Sequence, residues 1–388
     1  MQFKDIIGQE EVKEQLRKRV ADKRIAHTQL FLGPEGSGNL ALAIAFSQYL
    51  NCENKQNGDS CGQCPSCIKY RSFAHPDLHF FFPTITSESI KAPKSELYMK
   101  EWREYLIKTG GYVTQEGWWE QIGLSGNKQG TIYVRDASDI IQTLSIKPYE
   151  AEFKTVIIYL PEKLHLSASN KLLKTFEEPP QKSLILMAGE RYELLLPTVR
   201  SRTQLVKIPR LRDEDIKDAL VQYDGGKTDA ATLENIVMQS YGNWNKALTL
   251  LENIEDEQFN FIKFREWMRL CFNPGNFVEL INLSKKLASL PREKQKRLLL
   301  YGMEVIHNTL LSNTRLTGKI RTAGEEAEYI RKFSPFINEV NREKMYELLN
   351  RAVYHLERNA NANILFGDLS IQFSILLAQG RQKVKQSS

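Results

Sequence analysis

Long apolar runs are missing from this 388-residue chain: none approaches the roughly 18 to 20 residues that a membrane-spanning helix needs, so no membrane partner is expected. Met1 to Gly8 also lacks the basic and then apolar order of a secretory signal, which makes the cytoplasm the expected location. An excess of charge of either sign is absent as well. Lys plus Arg number 53 against 47 Asp plus Glu, a formal +6, in a chain that is 26% charged and 41% hydrophobic. That is an ordinary globular balance. It permits contact with nucleic acid but is thinner than the basic bias of a dedicated DNA-binding domain. A single small domain is excluded too, because at roughly 150 residues per domain this length implies two or three.

Cysteine is scarce except in one segment. Cys271 stands alone in an apolar helical stretch and is expected in a core, whereas Cys52, Cys61, Cys64 and Cys67 read C-x8-C-x2-C-x2-C. The tight C-x2-C steps bring thiolates onto one centre, as a tetrahedral zinc ion requires. A reducing compartment disfavours disulfides, which leaves redox thiols as the alternative. Four thiolates keep no open coordination position, so the expected zinc is structural. Asn54 to Ser60, Gly62 and Pro65 around these cysteines suit a small loop that the metal shapes.

The chain opens with Val12, Leu16 and Val20 at helical spacing, with Lys13, Arg17, Lys18 and Arg19 expected on the outer face. Gln29 to Leu32 then reads as a strand, Gly33-Pro34-Glu35-Gly36-Ser37-Gly38 as a glycine loop, and Leu40 to Leu50 as a helix. Strand, loop and helix in that order make the setting of a phosphate-binding loop. The pattern G-x-x-x-x-G-K-[ST] is only half kept. Gly33, Gly36 and Gly38 preserve the loop's shape, but Asn39 stands at the lysine position and Leu40 at the hydroxyl position. The cationic partner of the β- and γ-phosphates and a Mg²⁺ ligand are therefore both missing.

Thr155 to Leu160, Leu184 to Met187 and Leu205 to Ile208 read as buried strands. Where a hydrolase carries an acidic pair at the end of such a strand, this chain has Tyr159, Leu160 and Pro161, with Glu162 arriving late. Ser169 to Phe176 reads as a helix with Leu172, Leu173 and Phe176 inward, stopped by Glu177-Glu178-Pro179-Pro180. Alternating strands and helices imply a parallel α/β sheet. Residues 84–130, with Trp102, Trp118 and Trp119, fit neither a clean helix nor a clean strand, and are expected to be a partly ordered insertion or an element docking a partner or DNA. From Arg210 onward helical periodicity takes over, ending with Leu365, Leu369, Phe373 and Leu376 on one face and a frayed basic tail from Arg381.

Taken together, these motifs resemble the AAA+ clamp-loader subunits of bacterial DNA polymerase III, and within that family its delta-prime branch. The likeness rests on Ile6-Ile7-Gly8-Gln9-Glu10, on His27 with Leu30-Phe31-Leu32-Gly33-Pro34, on the four-cysteine insertion, and on Asn170-Lys171-Leu172-Leu173-Lys174-Thr175-Phe176-Glu177-Glu178-Pro179-Pro180. The resemblance implies a RecA-like parallel-sheet domain over 1–208, carrying a zinc module at 51–68 and the insertion at about 84–130. A helical lid at 209–262 and an all-helical oligomerisation collar at 263–388 would follow. The family's Ser-Arg-Cys motif stands here as Ser201-Arg202-Thr203. The resemblance implies that Arg202 acts in trans on ATP held by a neighbouring subunit, with Arg200 the nearest competitor. The lid-helix arginine of motor subunits is replaced by Asn245. Three parts of one ATP site are thus gone, which implies a subunit that hydrolyses no ATP and assembles with motor and clamp-opening subunits to load a sliding clamp on primed DNA. The competing expectations are a zinc-dependent DNA-binding scaffold and a divergent ATPase using Lys154, Lys163 or Glu162.

Overall fold

The computed structural model describes residues 1–86, 91–123, 130–313 and 324–387. They divide into two compact units, one of Met1–Gly225 with Ser240–Ala247, the other of Gly226–Gln239 with Leu248–Ser388.

The first unit is built on five parallel strands: β1 (Thr28–Leu32), β2 (Leu78–Phe81), β3 (Lys154–Tyr159), β4 (Ser183–Gly189) and β5 (Gln204–Lys207), in the order β2-β3-β4-β1-β5. Every residue of β3 and β4 is buried, which explains their unbroken apolar reading. On one face, Val156, Ile158, Ile185 and Met187 pack against Ile140 and Leu144 of helix Val134–Ser145 and Leu172 and Phe176 of helix Leu166–Glu177. Helix Asn39–Leu50 packs on β1, β3 and β4 with all twelve residues buried, so it shows no polar face. This is the expected parallel α/β sheet. Because the strands are parallel, the turns after β1, β3 and β4 collect at one edge, where the crevice of such folds lies.

Several expectations are corrected. Lys13 is not on an outer face: it is buried, and its ammonium donates to the Ile6 carbonyl at 2.8 Å and to Glu10 at 2.6 Å, which satisfies a charge withdrawn from water. Within 84–130 the described residues include two α-helices, Met99–Thr109 and Gln115–Gln121. Trp102 and Trp118 are fully buried there, Trp102 stacked with Phe82 at 4.2 Å and Trp118 set edge-on to both Phe82 and Trp102 at 5.0 Å. Their rings are core, not a platform for partners or bases; residues 87–90 and 124–129 of this segment lie outside the described residues. Strand β2 and helix Val134–Ser145 are elements the sequence reading passed over.

The second unit is helical. Helices Ile254–Phe272, Arg292–Asn313, Arg342–Glu357 and Ala362–Ser387 enclose Phe264, Trp267, Leu298, Met345, Leu349, Phe366, Phe373 and Leu377, with Cys271 buried among them as expected. Trp267 Nε1 donates to Ser370 Oγ at 2.8 Å, which satisfies the indole at the centre of this core. The last helix continues to Ser387 instead of fraying from Arg381. Over Ala362–Lys383 it reaches the mean hydropathy of a membrane span, but Phe366, Leu369, Phe373 and Leu377 pack into the helical core.

Candidate functional site

The glycine loop keeps its shape and is filled by its own chain. Asn39, at the lysine position, folds back: its Nδ2 donates to the Gly189 carbonyl at 2.9 Å and to the Gly33 carbonyl at 3.4 Å, while its Oδ1 accepts the Leu40 amide at 2.7 Å. Leu40 is 1% exposed and offers no oxygen to a metal. Gly36 and Gly38 both have positive φ, 74° and 86°. In a working loop that freedom lets backbone amides meet phosphate. Here it admits protein. A Cβ on Gly36 would strike Asn243 and lie 2.8 Å from the Trp244 nitrogen, and one on Gly38 would lie 3.1 Å from the Tyr112 ring. The Trp244 amide donates to the Gly36 carbonyl at 3.2 Å, and Gln9 Nε2 donates to the Ser37 carbonyl at 3.1 Å and to the Pro209 carbonyl at 2.7 Å. Gly36, Ser37 and Gly38 are all buried as a result.

Acidic side chains surround this loop. Glu162, after β3, accepts the amides of Glu190 at 3.0 Å and Arg191 at 3.2 Å. Burial raises its carboxyl above the ordinary range. Glu190, at the end of β4, is pushed up to about 8, first by burial and then by the like charges of Glu35 and Glu162. Glu162 is thus committed to holding a turn. Lys163 follows it, and its charge partly offsets the rise at both carboxyls. Lys154, the other candidate cation, stands at the start of β3, at the opposite edge of the sheet, 3.7 Å from Asp77. The structure therefore does not bring Lys154 to the loop.

Arg202 also stands at that opposite edge. It lies between helix Pro197–Arg200 and the first residue of β5, and β5 pairs in parallel with β1. The glycine loop leaves the far end of β1, so at about 3.3 Å per residue the length of a strand separates Arg202 from its own chain's loop. Its Nε donates to Glu177 Oε2 at 2.8 Å and its Nη1 to the Thr198 carbonyl at 3.1 Å. A concavity of about 640 Å³ opens beside it, lined by His27, Phe176, Glu177, Ser201 and Gln204 among others. Arg200 lies instead over the Tyr192 ring, 5.0 Å from its centre.

The four clustered cysteines come together. Their sulfurs lie within 4.8 Å of one another, close to the roughly 3.8 Å that Zn–S bonds of about 2.3 Å impose on a tetrahedron. The amides of Gln63 and Cys64 point at Cys61 Sγ (3.4 and 3.2 Å) and that of Cys67 at Cys64 Sγ (3.4 Å), donors that suit thiolate. All four are free thiols, with Cys64 capping helix Pro65–Arg71. The donor set fits zinc. The knuckle also ties down the chain start, since the amides of Phe3 and Lys4 donate to Asp59 at 3.0 Å each.

Tyr112 and Glu190 were not singled out from sequence, and Gln9 and Glu177 stood there only as members of longer motifs, with no role of their own. A local signal existed only for Glu190, a charged residue directly after an apolar strand. Gln9 reaches the loop as the residue before a helix, and Tyr112 from a different segment altogether.

Comparison with known proteins follows these observations. A family model described as DNA polymerase III, delta subunit, matches residues 8–212. The chain is 25% identical over 253 residues to DNA polymerase III subunit tau of Bacillus subtilis, covering 64% of this chain and 37% of that protein. It is 25% identical over 247 residues to subunit delta' of the same organism, covering 64% and 60%. To subunit gamma of Buchnera aphidicola it is 24% identical over 336 residues, covering 84% and 74%. The matched region is thus well under half the length of the tau relative.

Proposed function

From the premise that the chain belongs to the DNA polymerase III delta-subunit family of AAA+ clamp-loader subunits, we propose that it is a member that hydrolyses no ATP itself and supplies Arg202 to a neighbouring motor subunit. The observation that carries this reading is the placement of two groups at opposite edges of one sheet. The chain's own phosphate loop is closed by Asn39, Tyr112, Gln9 and Trp244, while Arg202 stands a strand's length away, part-exposed beside an open concavity. A guanidinium there cannot reach its own loop and is free to meet a phosphate brought by another chain.

In this proposal the first unit is a rigid anchor at one end of a hetero-oligomeric clamp loader, residues 209–262 act as its lid and 263–388 as its collar. Its partners are motor and clamp-opening subunits, and through them the sliding clamp and primed DNA, in the cytoplasm. Structural zinc at Cys52, Cys61, Cys64 and Cys67 would hold the inserted knuckle and the chain start. The mechanism on this chain's side is electrostatic. An arginine presented to a γ-phosphate neutralises charge that develops as the bond to the leaving oxygen breaks.

The test is the clamp- and DNA-stimulated ATPase rate of the reconstituted complex with wild-type subunit or Arg202→Ala, assembly being verified in both. Turnover at the facing site is expected to fall by about 10³-fold, the bulk rate falling less because other sites keep their own arginines. Identical rates in intact complexes would reassign Arg202 to structure.

A further inference from the structure

We infer that Glu177 is a positioning residue for Arg202, holding the guanidinium by Nε so that its unengaged Nη2 is left for the neighbouring subunit's nucleotide. This inference rests on the trans-arginine reading above and deepens it. A guanidinium is planar and carries five N–H donors in a rigid fork, so engaging two of its nitrogens fixes the plane of the whole group. Glu177 Oε2 takes Nε at 2.8 Å, and Nη1 meets the Thr198 carbonyl at 3.1 Å and Ser201 Oγ at 3.5 Å. Among the described residues, Nη2 has no partner. The arginine side chain is 31% exposed and lines the concavity of about 640 Å³.

The position of Glu177 argues for a role beyond stability. It is the last residue of helix Leu166–Glu177, where the unpaired carbonyls of the helix end disfavour a carboxylate. Its side chain is 57% exposed, and an exposed ion pair of this kind contributes little to folding. Pre-orientation, however, matters for a charge that must meet a phosphate within hydrogen-bond distance, and a displacement of about 1 Å can lower a rate by two orders of magnitude. The apolar-turned-acidic junction Phe176-Glu177 also lines the concavity beside Arg202, so the carboxylate is present on the surface that a partner would approach.

The experiment uses the full reconstituted complex with wild-type subunit, Glu177→Ala, Glu177→Asp, Arg202→Ala and the double variant, each checked for assembly. Glu177→Ala is expected to lower kcat at the facing site by roughly 10- to 100-fold with the KM for ATP little changed, Glu177→Asp to recover part of it, and Glu177→Ala to add nothing in the Arg202→Ala background. A kcat equal to wild type in Glu177→Ala, while Arg202→Ala is impaired, overturns the positioning role and leaves the trans arginine standing. A raised kcat overturns it also, by making the pair a restraint on the arginine. A loss that persists undiminished in the Arg202→Ala background assigns Glu177 to general structure. If Arg202→Ala itself is silent, the reading beneath the inference fails and the inference falls with it.

Discussion

Replacing Asn39 by lysine restores the residue a nucleotide-hydrolysing loop carries, yet hydrolysis is not expected to return. The loop is closed by contacts that a single side chain does not remove: Tyr112 over Gly38, the Asn243–Trp244 backbone against Gly36, and Gln9 on the Ser37 carbonyl. Leu40 still lacks a hydroxyl for Mg²⁺, and Tyr159 and Leu160 still stand where acids are needed. The structural part of the effect is measured with Asn39→Ala. Asn39 is 7% exposed and makes two short bonds, to the Gly189 carbonyl at 2.9 Å and from the Leu40 amide at 2.7 Å. Without the side chain the buried Leu40 amide loses its acceptor, while the Gly189 carbonyl keeps the Gly33 amide at 3.2 Å, so Asn39→Ala should lose about 1 to 3 kcal/mol. Lysine is a donor only and cannot accept the Leu40 amide, so Asn39→Lys should lose about as much. Urea unfolding gives the stabilities, and phosphate release with Mg·ATP gives the activity. Turnover in Asn39→Lys, or a loss below about 0.5 kcal/mol in Asn39→Ala, would refute the argument that the loop is sealed by its own chain.

Metal analysis should find one zinc per chain, and chelation should lower the melting temperature of the unit containing Met1–Gly225 while leaving that of Leu248–Ser388 in place; an unchanged profile would count against a structural metal. Glu190 couples stability to pH: its carboxyl is pushed up from 4.5 to about 8, so the folded chain keeps a proton that the unfolded chain releases, and stability should fall as pH rises through that interval. Glu190→Gln should reduce the fall, the raised Glu162 carboxyl keeping part of it, and should gain nothing below pH 4.5 and at most roughly 5 kcal/mol above pH 8; a pH-independent difference would place the shift elsewhere. Trp118→Ala should cost about 3 to 5 kcal/mol in denaturant unfolding, because a fully buried indole leaves a cavity beside Trp102 and Phe82. A cost under about 1 kcal/mol would mean the helices of 99–121 are not part of the core.

The sequence by itself determined whatever depends on neighbours along the chain. Spacing alone brought Cys61, Cys64 and Cys67 to one centre, because two intervening residues span only one turn of backbone. Apolar runs marked β1, β3 and β4, because a strand covered on both faces has no polar side to show. The identities of Asn39 and Leu40 marked the positions where the loop departs from the phosphate-binding pattern. Only the tertiary structure decided which side chains pack around that loop. Tyr112, Gln9 and Trp244 reach the loop from remote segments, and no local pattern marks a side chain that will cover a distant glycine. The tryptophans of 102–119 looked like possible partner contacts because their helices are short and interrupted by glycine; their burial follows from Phe82, beyond β2. The sequence likewise offered Lys154 and Arg202 as cations without saying which faces what. Strand direction settles both, since parallel β1, β3 and β5 send the glycine loop to one edge of the sheet and leave these two residues at the other.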